Sequence, residues 1–181
     1  MASLAYLAGG APLTTPLLED ALAEFDAAVA VDPRLADADA PIGVICGTLI
    51  AGDPARAATL GPRGREAAGR AFAAAPGNPR VLLMRAMATT FSPPAVGGNR
   101  ARGLVLWREA LARFETSTVT DPRLPDWGKA EGWGWLGGAH LMAGDHAEAL
   151  RAFDRALALR PDFWWVERIA RPQAVAPKTK S

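Results

Sequence analysis

The chain is short of several things at once. Of its 181 residues one is a cysteine, Cys46, two are histidines and 7% are aromatic, with a single tyrosine. One cysteine forms no internal disulfide, and beside two histidines it makes no Cys/His metal cluster. Cysteine usage therefore assigns no redox compartment. The net charge is only +1 at pH 7, which removes the bulk electrostatic footprint of a nucleic-acid or anionic-membrane partner. No apolar run approaches the roughly 20 residues that span a bilayer, so no membrane insertion is expected. No basic residue precedes Arg34, and the N-terminus does not look like a signal peptide. As written, the chain reads as cytoplasmic; it reads as periplasmic where a leader has been removed.

Catalytic patterns are missing too. There is no GxSxG and no GxxxxGK phosphate loop. His140 and His146 do not make an HExxH site, and no paired carboxylates stand out. The expectation is a non-enzyme with no metal and no cofactor.

What is present is helix-forming material. Half of the residues are hydrophobic, and alanine, the best helix former because it loses no side-chain entropy, supplies much of that half. Lys129, Lys178 and Lys180 are the only lysines among 20 basic residues; the rest are arginines, which suit bidentate anion recognition but equally follow from an Ala- and Arg-rich coding bias. The length suits one domain with a sizeable core.

The most ordered pattern runs from Trp133 to Pro161. Leu136 and Gly137 follow Trp133 at three and four residues, then come Gly144, Ala149, Phe153, Ala156 and Pro161, with His140 between the two halves. This resembles the tetratricopeptide repeat, with His140 where the family has Tyr. The resemblance implies an all-α, right-handed α-solenoid in which each helical hairpin buries its apolar stripe by stacking on its neighbours. It also implies a scaffold for binding a protein or peptide. Working backward, Ala21, Phe25, Ala28 and Pro33 reproduce the second-helix signature, with Thr15 and Pro16 suited to that helix's N-terminus and a first helix at 3–9. Gly64, Ala68 and Ala71 fill the same slots before Pro76, and their small size predicts a close helix approach. Gly103, Trp107 and Ala110 fill them once more. Asn78-Pro79 is an N-cap followed by proline, and Asp145 with Glu148 resembles a capping box. The domain reading is a single unit over 1–171, with repeats at about 3–34, 36–77, 78–116 and 130–161, a Trp-rich cap at 162–171 and a flexible tail at 172–181. That makes about nine helices. The chain further resembles bacterial tetratricopeptide repeat proteins of unassigned function through Leu60-Gly61-Pro62-Arg63, Asn78-Pro79-Arg80, Pro94 with Gly97-Gly98, and Asp126-Trp127-Gly128-Lys129. Many of those proteins are exported.

Three interruptions depart from a plain repeat. Loops at 52–63 and 92–99 separate the helices of the second and third hairpins, and a longer stretch at 115–129 joins the third to the fourth. The first two are expected to emerge side by side and to gather Arg56, Arg63, Arg65, Asn99, Arg100 and Arg102, with the amides of Gly97 and Gly98 offered to an anion at a helix N-terminus. The alternative is two solvated loops whose glycines only shape turns.

The concave groove is the other candidate site. The first-helix positions that line it in the family map to Asp37, Ala40, Val44, Gly47 and Thr48, to Arg80, Leu83, Met87, Thr90 and Phe91, and to Glu131, Gly134, Gly138, Leu141 and Met142. Met and Phe here suit an adaptable peptide contact; equally, a tightly curled array makes them core. Gly134 and Gly138 form a smooth strip that a ligand or a neighbouring helix could approach. Arg85 falls where the repeat has Leu and calls for a structural ion pair. His140 and Cys46 share a slot and read as core, while His146 reads as solvated. Trp127, Trp133 and Trp135 cluster in sequence, either as helix packing or as an aromatic cage.

Overall fold

A computed structural model describes residues 11–117 and 126–175, with side chains from Thr15 onward. The helix expected at 3–9, the middle of the third interruption and the last six residues lie outside that range. Among the described residues there are eight α-helices and no strand: α1 (Ala11–Val31), α2 (Ala36–Gly52), α3 (Ala57–Ala74), α4 (Pro79–Phe91), α5 (Arg100–Thr116), α6 (Lys129–Met142), α7 (His146–Leu159) and α8 (Arg171–Val175). The closest partnerships are α2 with α3, α4 with α5, and α6 with α7. These hairpins are joined in series through α1 on α2, α2 on α4 and α5 on α6, with the C-terminal segment closing over α7. The result is the expected all-α solenoid.

The signature spacing works through one steric device. A Cβ built on Gly137 of α6 would overlap the Phe153 ring of α7, so the glycine is the socket for that ring, and Phe153 is fully buried. In the preceding hairpin Trp107 of α5 takes the aromatic slot, also fully buried, and donates its indole N–H to Thr90 Oγ1 at 2.9 Å. Gly103, one turn earlier, lies so close to Thr90 that any side chain there would collide. In the second hairpin Ala68 takes the aromatic slot and leans on Gly43, and a Cβ on Gly64 would stand 2.9 Å from Cys46 Cβ. The close approach expected from Gly64, Ala68 and Ala71 is what the backbone does.

Several boundaries differ from expectation. α1 runs through Thr15 and Pro16, so Thr15 is not its N-cap; Pro16 sits inside the helix and gives up one backbone hydrogen bond. The segment 52–63 is mostly helix. Asp53 accepts a hydrogen bond from the Ala55 amide, a single 3₁₀ turn follows at Pro54–Arg56, and α3 starts at Ala57 and passes straight through Gly61-Pro62. Leu60, 6% exposed, packs there with Leu22, Ile42 and Leu49, and Arg56 and Arg63 pair with Glu19 and Asp26 of α1. Tertiary burial and these ion pairs outweigh the breaker signal of a Gly-Pro step. At the C-terminus, Val166–Ala170 forms a π-helical turn and α8 continues to Val175, beyond the cap expected to end at 171. Ala170 and Ala174 are buried four residues apart, and His146 Nδ1 lies 3.0 Å from the Ala174 carbonyl oxygen. His146 is therefore tied to the cap and is not a solvated turn residue.

Caps behave largely as read. Asn78 Oδ1 accepts from the Arg80 amide; Asn99, expected at the loop-edge anion site, instead caps α5, its Oδ1 accepting from the Arg102 amide. The Asp145–Glu148 box is half formed: Asp145 accepts from the Glu148 amide, while the Glu148 carboxylate turns to Arg151.

The socket geometry yields a paired prediction. Phe153→Ala should lower the unfolding free energy by about 3–5 kcal/mol, the usual range for emptying a fully buried ring site. Gly47→Ala, at an exposed helical position with nothing within 4 Å of its Cβ direction, should raise it by about 0.5–1 kcal/mol. Urea denaturation followed by circular dichroism measures both.

Candidate functional site

Most of the polar positions mapped to the groove are spoken for by the fold. Arg80 is 8% exposed. Its Nε donates to Asp37 Oδ1 at 2.6 Å, and the same carboxylate accepts from Asn78 Nδ2 at 3.0 Å. The guanidinium also sits 6.0 Å from the centroid of Trp127. The Asn-Pro-Arg and Asp-Trp-Gly-Lys segments, far apart in sequence, thus meet at one point. Glu131 does parallel work one hairpin on. Its Oε2 accepts from the Gly128 amide at 2.8 Å and its Oε1 from Arg160 Nη1 at 2.6 Å, while Arg160 lies over the Phe163 ring at 3.9 Å. Lys129 bridges to Glu115 at 2.8 Å, tying together the two ends of the third interruption.

The apolar groove positions divide. Leu83 is 0% exposed, Met87 9% and Thr90 7%, so these three belong to the core around Trp107 and Leu111. Phe91 is 37% exposed and Met142 60%, and Leu141 is half-buried. Phe91 meets Trp135 edge-on at 5.7 Å, and Trp135 packs on Trp165 at 4.7 Å. The strip at Gly134 and Gly138 is filled from within the chain: Cβ atoms at Gly134 would touch Phe163, Trp165 and Val166 at 3.1–3.3 Å, and Gly138 faces Trp165. Its neighbour is the cap. Phe91, with half-buried Trp135 against it, and Met142 one hairpin on remain at the surface. Trp135 was missed as a member of this face because it belongs to none of the five mapped positions. Its two-residue offset from Trp133 was the available signal, since that step places the two rings on different sides of a helix.

The same offset explains why no cage forms. Trp127 lies by Arg80, Trp133 beneath Arg155 at 4.5 Å, and Trp135 with Phe91 and Trp165; each ring has its own partners.

The loop-edge residues are dispersed in their roles. Arg63 pairs with Asp26 and Arg56 with Glu19, so both turn toward α1. The amides of Gly97, Gly98 and Asn99 donate to the carbonyls of Pro94, Pro93 and Thr89, which satisfies the groups expected to meet an anion. Gly97 has φ 96°, and any side chain at Gly98 would overlap the Ser92 carbonyl; both glycines are demanded by the turn. Arg65 and Arg100 are exposed. Among the described residues no hydrogen bond or ion pair joins segment 52–63 to 92–99.

Three buried or half-buried groups complete the picture. Burial pushes the Cys46 thiol above its ordinary pKa, with Arg63 opposing the shift, so this thiol, 1% exposed, is an inert core group. His140 is 7% exposed with Nδ1 3.4 Å from Asp145 Oδ2. Arg85 has no carboxylate partner among the described residues; its guanidinium stacks 3.9 Å from the Phe72 centroid. The ion pair expected for it is replaced by a cation–π contact with Phe72 of α3.

A stack of helical hairpins with paired first and second helices is the architecture of a repeat scaffold. A family-level comparison matches residues 130–163 to the tetratricopeptide repeat, so this chain carries that repeat in its last complete hairpin. No curated protein matches the chain. Tetratricopeptide repeats generally mediate protein–protein interaction, and a fold of this type is typically a non-catalytic scaffold. No described helix is long and apolar enough to cross a membrane.

The Asp37–Arg80 pair should be energetically coupled, since the two side chains are only 23% and 10% exposed. A double-mutant cycle with Asp37→Asn and Arg80→Met, read by urea denaturation, should return a coupling of about 1–3 kcal/mol. A value near zero would place the pair among ordinary surface ion pairs.

Proposed function

We propose that the protein is a non-catalytic interaction scaffold that receives a peptide or partner protein along the groove side of its last two hairpins. The observation that carries this reading is the pair Phe91 and Met142. They hold the same slot of successive first helices, yet they stay exposed while their neighbours Leu83, Met87 and Thr90 are buried. Phe91 is backed by Trp135 and Trp165, which gives a rigid aromatic shelf, and Met142, at the same slot of the next first helix, offers an adaptable thioether. Aromatic anchors supported from behind are the usual energetic centre of an interface. Arg80 and Glu131 are taken up by Asp37 and Arg160 within the scaffold and need not touch the partner.

The alternative, a small ligand or anion at the edge formed by 52–63 and 92–99, has less behind it. Arg63 is already paired and the amides of Gly97, Gly98 and Asn99 already donate within their own turn, leaving Arg65, Arg100 and Arg102 as its exposed cations.

Phe91→Glu with Met142→Glu should weaken capture of a native-cell partner at least ten-fold, with the melting temperature within about 3 °C of wild type, as for substitutions at the surface. Arg65→Glu with Arg100→Glu should leave capture unchanged. Quantitative affinity capture of the three proteins decides between the readings; capture that survives loss of Phe91 and Met142 removes the groove proposal.

A further inference from the structure

A cavity of about 270 Å³ opens between α2, α3 and α4, away from the Phe91–Met142 shelf. Its origin can be read from the repeat. In the last hairpin the aromatic slot is filled by Phe153 against Gly137; in the second hairpin that slot is Ala68 against Gly43. The helices close part of the gap by approaching at Gly64, but not all of it. Ala68, Gly43, Val44 and Met84 line what is left, with the Phe72 ring on one side. The wall is apolar with two exceptions, Thr89 and Arg85.

Arg85 is the informative one. It is half-buried, and among the described residues it makes no hydrogen bond or ion pair. The other half-buried arginines, Arg56, Arg63, Arg160 and Arg171, each hold a carboxylate. The guanidinium carbon lies 3.9 Å from the Phe72 centroid, a contact that takes up no N–H donor in a hydrogen bond and leaves the pair that reads a carboxylate in two-pronged fashion uncommitted.

The geometry points to a binding site for a small monocarboxylic acid whose apolar body, the size of a phenyl ring on a short alkyl chain, takes the place of the missing repeat aromatic while its carboxylate meets Arg85. Size agrees: an apolar cavity of roughly 150 Å³ admits benzene, and 270 Å³ adds room for a few carbons more. Charge agrees as well, because a single cation at an apolar wall selects an acid over its neutral amide. The site is separate from the interaction shelf and stands or falls independently of it.

The test uses 3-phenylpropanoate and 3-phenylpropanamide as probes on the full chain, followed by methyl-detected NMR titration and thermal melting. The acid should shift the methyl signals of Ala68, Val44 and Met84, and it should bind at least ten-fold more tightly than the amide. Arg85→Gln should bring acid and amide to within about two-fold of each other. Ala68→Phe, which restores the repeat aromatic, should abolish the shifts while raising the melting temperature. Where Ala68→Phe does not fold, Gly69→Leu serves, since Gly69 lines the same cavity and has nothing within 4 Å of its Cβ direction. Equal affinity for acid and amide in the wild type overturns the proposal. So does binding that survives filling of the cavity, methyl shifts confined to other residues, or binding by a hydrophobic peptide terminus with none by the free acid at 10-millimolar order.

Discussion

Everything in this fold hangs on how closely two helices of a hairpin can approach, and one side-chain slot sets that distance. In the last hairpin the slot holds Phe153, and Gly137 opposite supplies the space its ring needs. A ring of this size, fully buried, contributes about 1.5–3 kcal/mol from burial alone. The socket also sets rotation, because Gly137 is turned to Phe153 while Gly134 and Gly138 are turned to the cap. The third hairpin meets the same constraint with other residues: Trp107 is larger, Gly103 one turn earlier gives way to Thr90, and the threonine hydroxyl satisfies the indole N–H that would otherwise be buried without a partner. Helix distance, helix rotation and polar satisfaction are solved together at this one contact.

Between hairpins the cement is different. Asp37, Arg80 and Trp127 join the second hairpin to the third and to the approach of the fourth; Glu131, Arg160 and Phe163 join the fourth to the cap. In both places a carboxylate on one first helix holds an arginine that also lies near an aromatic ring. A planar guanidinium can satisfy both at once, through its edge and its face, which a lysine cannot do. The arginine-rich composition thus has at least two structural uses, and the charges that sequence position alone assigns to a binding groove prove to be joints of the scaffold.

This division explains what could be read in advance. Small-aromatic-small spacing is a local property of one helix, so the second-helix registers at Gly103-Trp107-Ala110 and Ala149-Phe153-Ala156 were legible, as was the cap at Asn78. Long-range partners were not. Gly61-Pro62 reads as a break until Leu60 finds the pocket formed by Leu22, Ile42 and Leu49 and Arg63 finds Asp26. Arg80 and Glu131 sit at groove positions by count, and only the fold shows that Asp37 and Arg160 reach them first. The exposed pair Phe91 and Met142 was named from position, but so were Leu83, Met87 and Thr90. Which of the five stay at the surface depends on Trp107 and the cap, neither of which first-helix spacing encodes.

The second hairpin shows how a repeat survives without its aromatic. Replacing a ring by Ala68 gives up burial of a few kcal/mol at most, and a hairpin so weakened must recover that elsewhere. Here α2 and α3 are 17 and 18 residues long, against 14 each for α6 and α7. The added length of α3 at its start brings Leu60 into the core and places Arg56 and Arg63 against α1. One newly buried leucine contributes burial of the same order as the ring that is absent, and the close approach at Gly64 and Gly43 restores dispersion contacts along the seam. The stretch that looks like an inserted loop is therefore better understood as compensation, an extension of the hairpin that stabilises it at its tip. That arrangement lets a cavity persist at Ala68 and Gly43 without loosening the array, because the helices that wall it are anchored at points the cavity does not share.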